Sequence, residues 1–185
     1  MKPRVHDPLR LDVEVFAKDA GRLEGRWPLA GFARLAESAH AQARPGAADP
    51  VAWQARGEQR AQRGGAAQTW LHVEAEAEVQ LECQRCLQAV AVPLAVRRSF
   101  LFAPDEPTAA AIDADSEDDV LVLTRALDLH ELVEDELILA LPLVPRHDVC
   151  AQPLAVPAPA EEAQAERPHP FAALAALKRG AGGSH

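Results

Sequence analysis

Four residues carry the chemistry worth weighing first. Cys83 and Cys86 form a C-x-x-C in "EVQLECQRCLQAVAV", and His147 and Cys150 form an H-x-x-C in "RHDVC". A C-x-x-C on a tight turn brings two sulfurs toward one point, and a tetrahedral ion such as zinc asks for four soft or borderline ligands. Together the two pairs make C-x2-C…H-x2-C, a Cys₃His set that would tie residue 83 to residue 150. The competing reading keeps Cys83 as a small core residue and leaves His147 and Cys150 as ordinary loop residues. Redox chemistry ranks below metal binding. A dithiol of that kind opens a helix, whose dipole lowers the thiol pKa, and here the motif lies between two strand-like stretches.

No other catalytic set competes. Glu131, Glu134, Asp135 and Glu136 are explained by the preference of a helix start for acids. The histidines fall in no Ser-His-Asp or Cys-His frame, and no phosphate loop, dinucleotide loop, G-x-S-x-G or H-E-x-x-H occurs. Arg22, Arg26, Arg34, Arg44, Arg56, Arg60 and Arg63 could form a basic patch beside Trp27 or Trp53. Arg85, Arg97 and Arg98 could join it.

The chain has 185 residues, a net charge of −9 and 4% aromatic content with no Tyr. Such an acidic chain is not a generic binder of DNA or other polyanions. Acids concentrate in 105–136, so the molecule has the makings of an acidic side and a basic side. Nothing at the N-terminus has the layout of a signal peptide, and no apolar run approaches membrane-spanning length. A cytoplasmic protein with no membrane contact is the expectation. In that reducing setting three cysteines suit a metal better than a disulfide framework.

The elements that must position the cysteines read as follows. "LRLDVEVFA" (9–17) alternates apolar and polar residues and predicts a strand. "AGRLEG" predicts a turn, and "GFARLAESAHAQ" (31–42) a short amphipathic helix. "VAWQARGEQRA" predicts a strand weakened by Gly57. The clearest alternation is "WLHVEAEAEVQLEC" (70–83), a long strand with an acidic outer face. Residues 87–102 predict the returning strand, with Pro93 marking an edge position or a bulge. Cys83 and Cys86 therefore belong at a hairpin tip. "PDEPTAAAIDADSEDD" (104–119) predicts a mobile loop and 120–123 a short strand. Asp128 and Glu131 have capping-box spacing and open a helix that Pro142 and Pro145 end. Glu136 stands out on its apolar stripe. Residues 151–168, rich in Ala, Pro and Glu, predict a linker. In 169–180, Phe171, Leu174 and Leu177 make an apolar stripe, with Lys178 and Arg179 at the end suited to cations. A helix this short must dock on something to be ordered.

Three stretches give the chain a resemblance. "LECQRC" (81–86), "LVEDELILALPLVPRHD" (132–148) and "PFAALAALKR" (170–179) resemble the YceD family, the large ribosomal RNA subunit accumulation proteins. Cys83, Gln84, Arg85 and Cys86 match its C-x-R-C motif. Glu134, Asp135, Glu136 and Pro142 match its V-E-D-E…L-P segment. Phe171, Leu174, Leu177 and Lys178 match its terminal motif, where His169 replaces the usual Asn. Some relatives carry a second late C-x-x-C. Here only Cys150 remains of it, and His147 is the residue able to replace the missing ligand.

The resemblance implies a non-enzymatic ribosome-biogenesis factor acting in synthesis, processing or stability of 23S rRNA. The partner would be 23S rRNA or a large-subunit precursor, with Arg85, Arg97, Arg98 and the 171–179 motif as contacts. The alternative is an adaptor or holding partner for a basic ribosomal protein such as L32, without direct RNA binding. The expected fold is α+β. A single domain over 1–150 holds a mostly antiparallel sheet, able to curl toward a barrel, and two or three helices. A linker (151–168) and a docking helix (169–180) follow.

Overall fold

Alternation dictates the centre of the molecule. In the computed structural model, which describes residues 4–62 and 64–151, the two best-patterned stretches form the longest strands, β3 (Gln68–Glu82) and β4 (Ala89–Ala103). They run antiparallel, with Leu71 opposite Phe100, Val79 opposite Val92 and Leu81 opposite Val90. Side chains on one face of this hairpin enter the core, while Glu74, Glu76 and Glu78 stand on the other. Two further strands, β1 (Arg22–Pro28) and β2 (Pro50–Arg60), extend the meander, and β5 (Asp119–Val122) adds a parallel strand beside β4. The order is β1-β2-β3-β4-β5. The sheet is open, so the barrel-like option fails while the α+β, mostly antiparallel fold holds. Pro93 pairs across to Glu78, and β5 reaches only Phe100–Ala103, so the proline does sit on an edge stretch of β4.

Four α-helices are found among the described residues, one more than expected. The N-terminal alternation is not a strand. Leu11 makes a single bridge to Leu127, and the chain then enters α1 (Val13–Lys18), capped by Asp12 accepting from the Val15 N–H. Val13, Phe16 and Ala17 fit a helical spacing as well as Val13 and Val15 fit a strand, and burial of Phe16 decides between them. "AGRLEG" is likewise not a turn, since most of it lies in β1. Gly25 there leaves room for the Trp53 indole, which a Cβ would approach to 3.0 Å. The helix expected over 31–42 is a 3₁₀ turn followed by the short α2 (Ala33–Glu37). The acidic 104–119 segment contains α3 (Glu106–Asp113), with Asp105 accepting from the Thr108 N–H and Ala109 buried. A parallel β4–β5 pair requires a crossover, and α3 provides it. The linker and docking helix expected over 151–180, apart from Ala151, lie outside the described residues, as do Phe171, Leu174, Leu177, Lys178 and Arg179.

α1 packs on β2 and β3, and α4 (Leu129–Leu139) on β3 and β4, with α2 against α4. Gly57 permits the first contact, because a Cβ at that position would lie 2.8 Å from the Ala17 backbone. Gly57→Ala is expected to push α1 off β2 and cost about 2 kcal/mol, read as a lower urea midpoint at unchanged slope. An unchanged midpoint would refute that packing.

On the opposite face of the sheet, Glu58 accepts from Arg60, Arg56 and His72, and His72 Nδ1 lies 2.8 Å from Ser99 Oγ. The Arg60 hydrogen bond, against opposing desolvation, and then those of His72 and Arg56 hold the Glu58 carboxyl down at about 2. Arg60 also lies over the Trp70 ring at 4.4 Å.

Candidate metal centre

The β3–β4 connection spans 83–88 and is closed by two main-chain hydrogen bonds, Cys83 N–H to Gln88 O and Leu87 N–H to Cys83 O. The second depends on Leu87 adopting φ +58°, the left-handed conformation. This hairpin tip aims both sulfurs at the loop that follows α4. Asp128 opens that helix by accepting from the His130 and Glu131 N–H groups, and Ala140 closes it ahead of Pro142. The loop is pinned back onto the tip where Gln84 N–H donates to Pro145 O at 2.9 Å.

This pinning assembles the four ligands. Cys83 Sγ and Cys150 Sγ are 3.8 Å apart, and Cys86 Sγ and His147 Nδ1 are 3.5 Å apart. The donor atoms of all four residues lie within 4.8 Å of one another. A tetrahedral ion bound at ~2.3 Å to sulfur and ~2.0 Å to nitrogen places its ligand atoms about 3.8 Å (S–S) and about 3.5 Å (S–N) apart. The observed spacings match, and 3.8 Å is far too long for a disulfide, which has an S–S bond of ~2.05 Å. The three cysteines are free thiols.

The surroundings suit a metal as well. His147 Nε2 donates to Ala89 O at 3.0 Å, which places the ring proton on Nε2 and turns the Nδ1 lone pair toward the sulfurs. Burial acts to raise the Cys83 thiol, but the N–H groups of His147, Arg85 and Cys86 and the His147 ring outweigh it and bring the thiol down to about 5. For Cys86 the Gln88 N–H acts to lower the thiol, yet burial and the neighbouring thiols of Cys150 and Cys83 leave it raised. Arg85 Nε donates to Cys150 Sγ at 3.0 Å, and its NH2 donates to His147 O and Asp148 O. Its guanidinium, raised by the Cys150 contact, clamps the loop from outside. All four positions of such a tetrahedron would come from the chain and two of the four residues are buried, so a metal held here would have no open position for a substrate.

The acidic motif on α4 has a different use. Glu134 and Glu136 are buried, and each meets an arginine from another element. Glu134 accepts from Arg34 Nε and NH2 and also from the backbone N–H groups of Arg34 and Leu35, at 2.8 to 3.1 Å. Those N–H groups are in the first turn of α2, whose N-cap, Phe32, offers no side-chain acceptor. Glu134 therefore caps a helix 100 residues away from it in sequence. Asp135 takes Arg34 NH1 at 2.6 Å. Glu136 takes Arg98 Nε at 2.9 Å. Pro142 is exposed past the helix end.

The residues marked for RNA or partner contact are dispersed. Arg85 faces the metal loop. Arg98 stands opposite Val73 and meets Glu136. Arg97, on the other face, pairs with Glu74 at 2.9 Å. Arg34 is held by α4, and Trp27 and Trp53 stack on each other at 4.2 Å, with Phe32 and His130 beside Trp27. Sequence reasoning placed Arg34 among the basic-patch candidates and missed its pairing with Glu134. Its one signal was a helix start preceded by Phe32, where a capping side chain was due.

Comparison with known proteins bears on the whole arrangement. The family described as "Large ribosomal RNA subunit accumulation protein YceD" matches residues 71–178, which includes most of β3, all of β4 and α4, and the four Cys/His residues of the cluster. The protein of that name from Haemophilus influenzae is 36% identical over 115 residues, covering 55% of this chain and 61% of the relative. The chain thus spans about three fifths of the length of that curated relative. No solved structure matches it. The chain belongs to the YceD family of large ribosomal RNA subunit accumulation proteins.

Proposed function

We propose that this protein is a non-enzymatic, cytoplasmic ribosome-biogenesis factor. It supports synthesis, processing or stability of 23S rRNA through contact with that RNA or with a large-subunit precursor. The observation that carries the reading is the family match over 71–178, which joins the hairpin tip, the α4 motif and the metal loop. The ion in the Cys83, Cys86, His147 and Cys150 cluster is structural zinc, the metal that a Cys₃His tetrahedron suits best. Pairing of Glu134 and Glu136 with Arg34 and Arg98 supports a structural use of the acidic motif over a catalytic one. No helix among the described residues is long and apolar enough to cross a membrane.

The test is co-sedimentation of the full chain with large-subunit precursors. The protein is expected to travel with precursors of the large subunit. Equal association with small-subunit particles, or none with either, would overturn the reading. Deleting 169–179, which carries Phe171, Leu174, Leu177, Lys178 and Arg179, is expected to abolish the association and leave the unfolding transition in place. A collapse of that transition would make the segment part of the fold instead.

One observation favours the adaptor reading, in which the contact is a basic ribosomal protein such as L32. Arg34 and Arg98 are spent on carboxylates inside the chain, while Glu74, Glu76 and Glu78 line the outer face of β3. Binding to naked 23S rRNA decides between them. Direct contact by several cations would lose about three orders of magnitude in affinity between 50 and 200 mM salt. Weak, salt-insensitive binding is expected of an adaptor.

A further inference from the structure

Exposed aliphatic side chains fall on the segments that carry the Cys/His cluster, Leu87 next to Cys86 and Val149 next to Cys150. Leu143 is fully exposed (100%) and Val149 nearly so (84%), with Leu139, Val144 and Leu87 also exposed. These are five of the seven exposed large apolar residues among those described, and the other two, Val5 and Leu9, belong to the N-terminus. Leu143, Val144 and Val149 lie in the loop after α4, Leu139 ends that helix, and Leu87 sits on the hairpin tip to which the loop is pinned. The loop cannot fold them inward, because Pro145 O, His147 and Cys150 fix its backbone against the tip. Leu87 adds a separate sign. It holds φ +58°, where glycine is free and a branched side chain is disfavoured, yet its side chain fills no core. Apolar groups concentrated in this way on a surface mark a contact site.

The charge beside them says what the contact brings. A cavity of about 420 Å³ is lined by Arg85, Val144, Arg146, His147 and Asp148. It holds two guanidiniums against one carboxylate, and Arg146 makes no ion pair among the described residues. An anionic group therefore fits the cavity while apolar groups cover the leucines and valines. A nucleic acid fits less well, because no Phe, Tyr or Trp stands among the exposed apolar side chains for bases to stack on and the chain carries a net charge of −9.

We propose that this strip is a docking surface for a protein segment that carries apolar anchor side chains beside an Asp or Glu. The anchors lie on Leu143, Val149 and Leu87, and the carboxylate enters the Arg85–Arg146 cavity. The proposal deepens the protein-contact reading above and rests on it.

The test uses the full, zinc-loaded chain with a photo-crosslinker, Leu143→benzoylphenylalanine, in cells, and identifies the crosslinked peptide by mass spectrometry. The expected product is a peptide of a large-subunit precursor protein with at least two large apolar residues and an Asp or Glu within about one helical turn of them. Arg146→Glu is expected to cut the crosslink yield ~fivefold or more. Leu87→Gly, which suits the backbone there, is expected to lower the yield without loss of zinc. Crosslinks to RNA, to a second copy of this chain, or to a peptide without an acid would overturn the proposal. So would a yield indifferent to Arg146→Glu. If the protein still co-sediments with large-subunit precursors while position 143 crosslinks to no protein, the docking surface falls and the functional reading stands. If co-sedimentation itself is absent, the functional reading falls.

Discussion

Cys86→Ser is expected to remove stoichiometric zinc and to lower the unfolding midpoint by about 10 °C, corresponding to a loss of ~3 kcal/mol for a domain of this size. The direction follows from what would hold the loop without the ion. The remaining ties are Gln84 to Pro145 and Arg85 to the carbonyls of His147 and Asp148. They are hydrogen bonds at an exposed surface, each worth about 1 kcal/mol net. Against them stand the ordering entropy of the loop and the crowding of three thiols. Hydrogen exchange should therefore rise over 145–150 and at the hairpin tip, while the β2–β3 core keeps its protection. Acid works the same way, because protons compete with the ion for sulfur and imidazole. In the metal-free protein Cys83 adds a smaller effect of the same sign. Its thiol lies at about 5 instead of 9.0, so its contribution is full above 9.0 and is lost as pH falls through about 5. Native mass spectrometry without zinc, together with a midpoint indifferent to Cys86→Ser, would sink the metal centre.

What the sequence disclosed depended on the range of the interaction that fixes each element. β3 and β4 were legible because their alternation runs for 15 residues each and one face must be buried. The hairpin tip followed from them, and the Cys₃His set from ligand spacing alone. α1 was misread because six residues are too few to separate a period of 2 from one of 3.6. Burial of Phe16 against β2 and β3 settles its form, and that contact is not local. β1 was hidden because Gly21 and Gly25 look like turn residues. The second instead makes space for Trp53, contributed by the neighbouring strand. α3 was hidden by its charge, although Asp105 and Thr108 had the spacing of a cap. The deepest miss concerns the α4 motif. Its acids looked like an acidic helix start because their donors, Arg34 and Arg98, are 100 and 38 residues away. No window of sequence short enough to show periodicity contains both ends of such a pair.

That pair makes the other large prediction. Glu134→Ala is expected to cost about 3 kcal/mol, and Arg34→Ala no more than about 1 kcal/mol. The asymmetry comes from what each substitution strands. The Arg34 side chain is 49% exposed, and without it Glu134 still accepts the two N–H groups that open α2. Without Glu134, whose side chain is 9% exposed, those N–H groups lose their acceptor in a place water reaches poorly, and α2 has no cap of its own. Leu35 and Phe32, both fully buried, then lose the helix that holds them against α4. Glu134→Gln should fall between the two, since its carbonyl can still accept the N–H groups while its amide faces the guanidinium. Urea unfolding of the three variants and of the double variant measures this. Arg34→Ala added to Glu134→Ala should cost almost nothing further. If the two single substitutions prove equally costly, or if the double variant is their simple sum, Glu134 acts as an ordinary surface ion-pair partner and the remote cap is wrong.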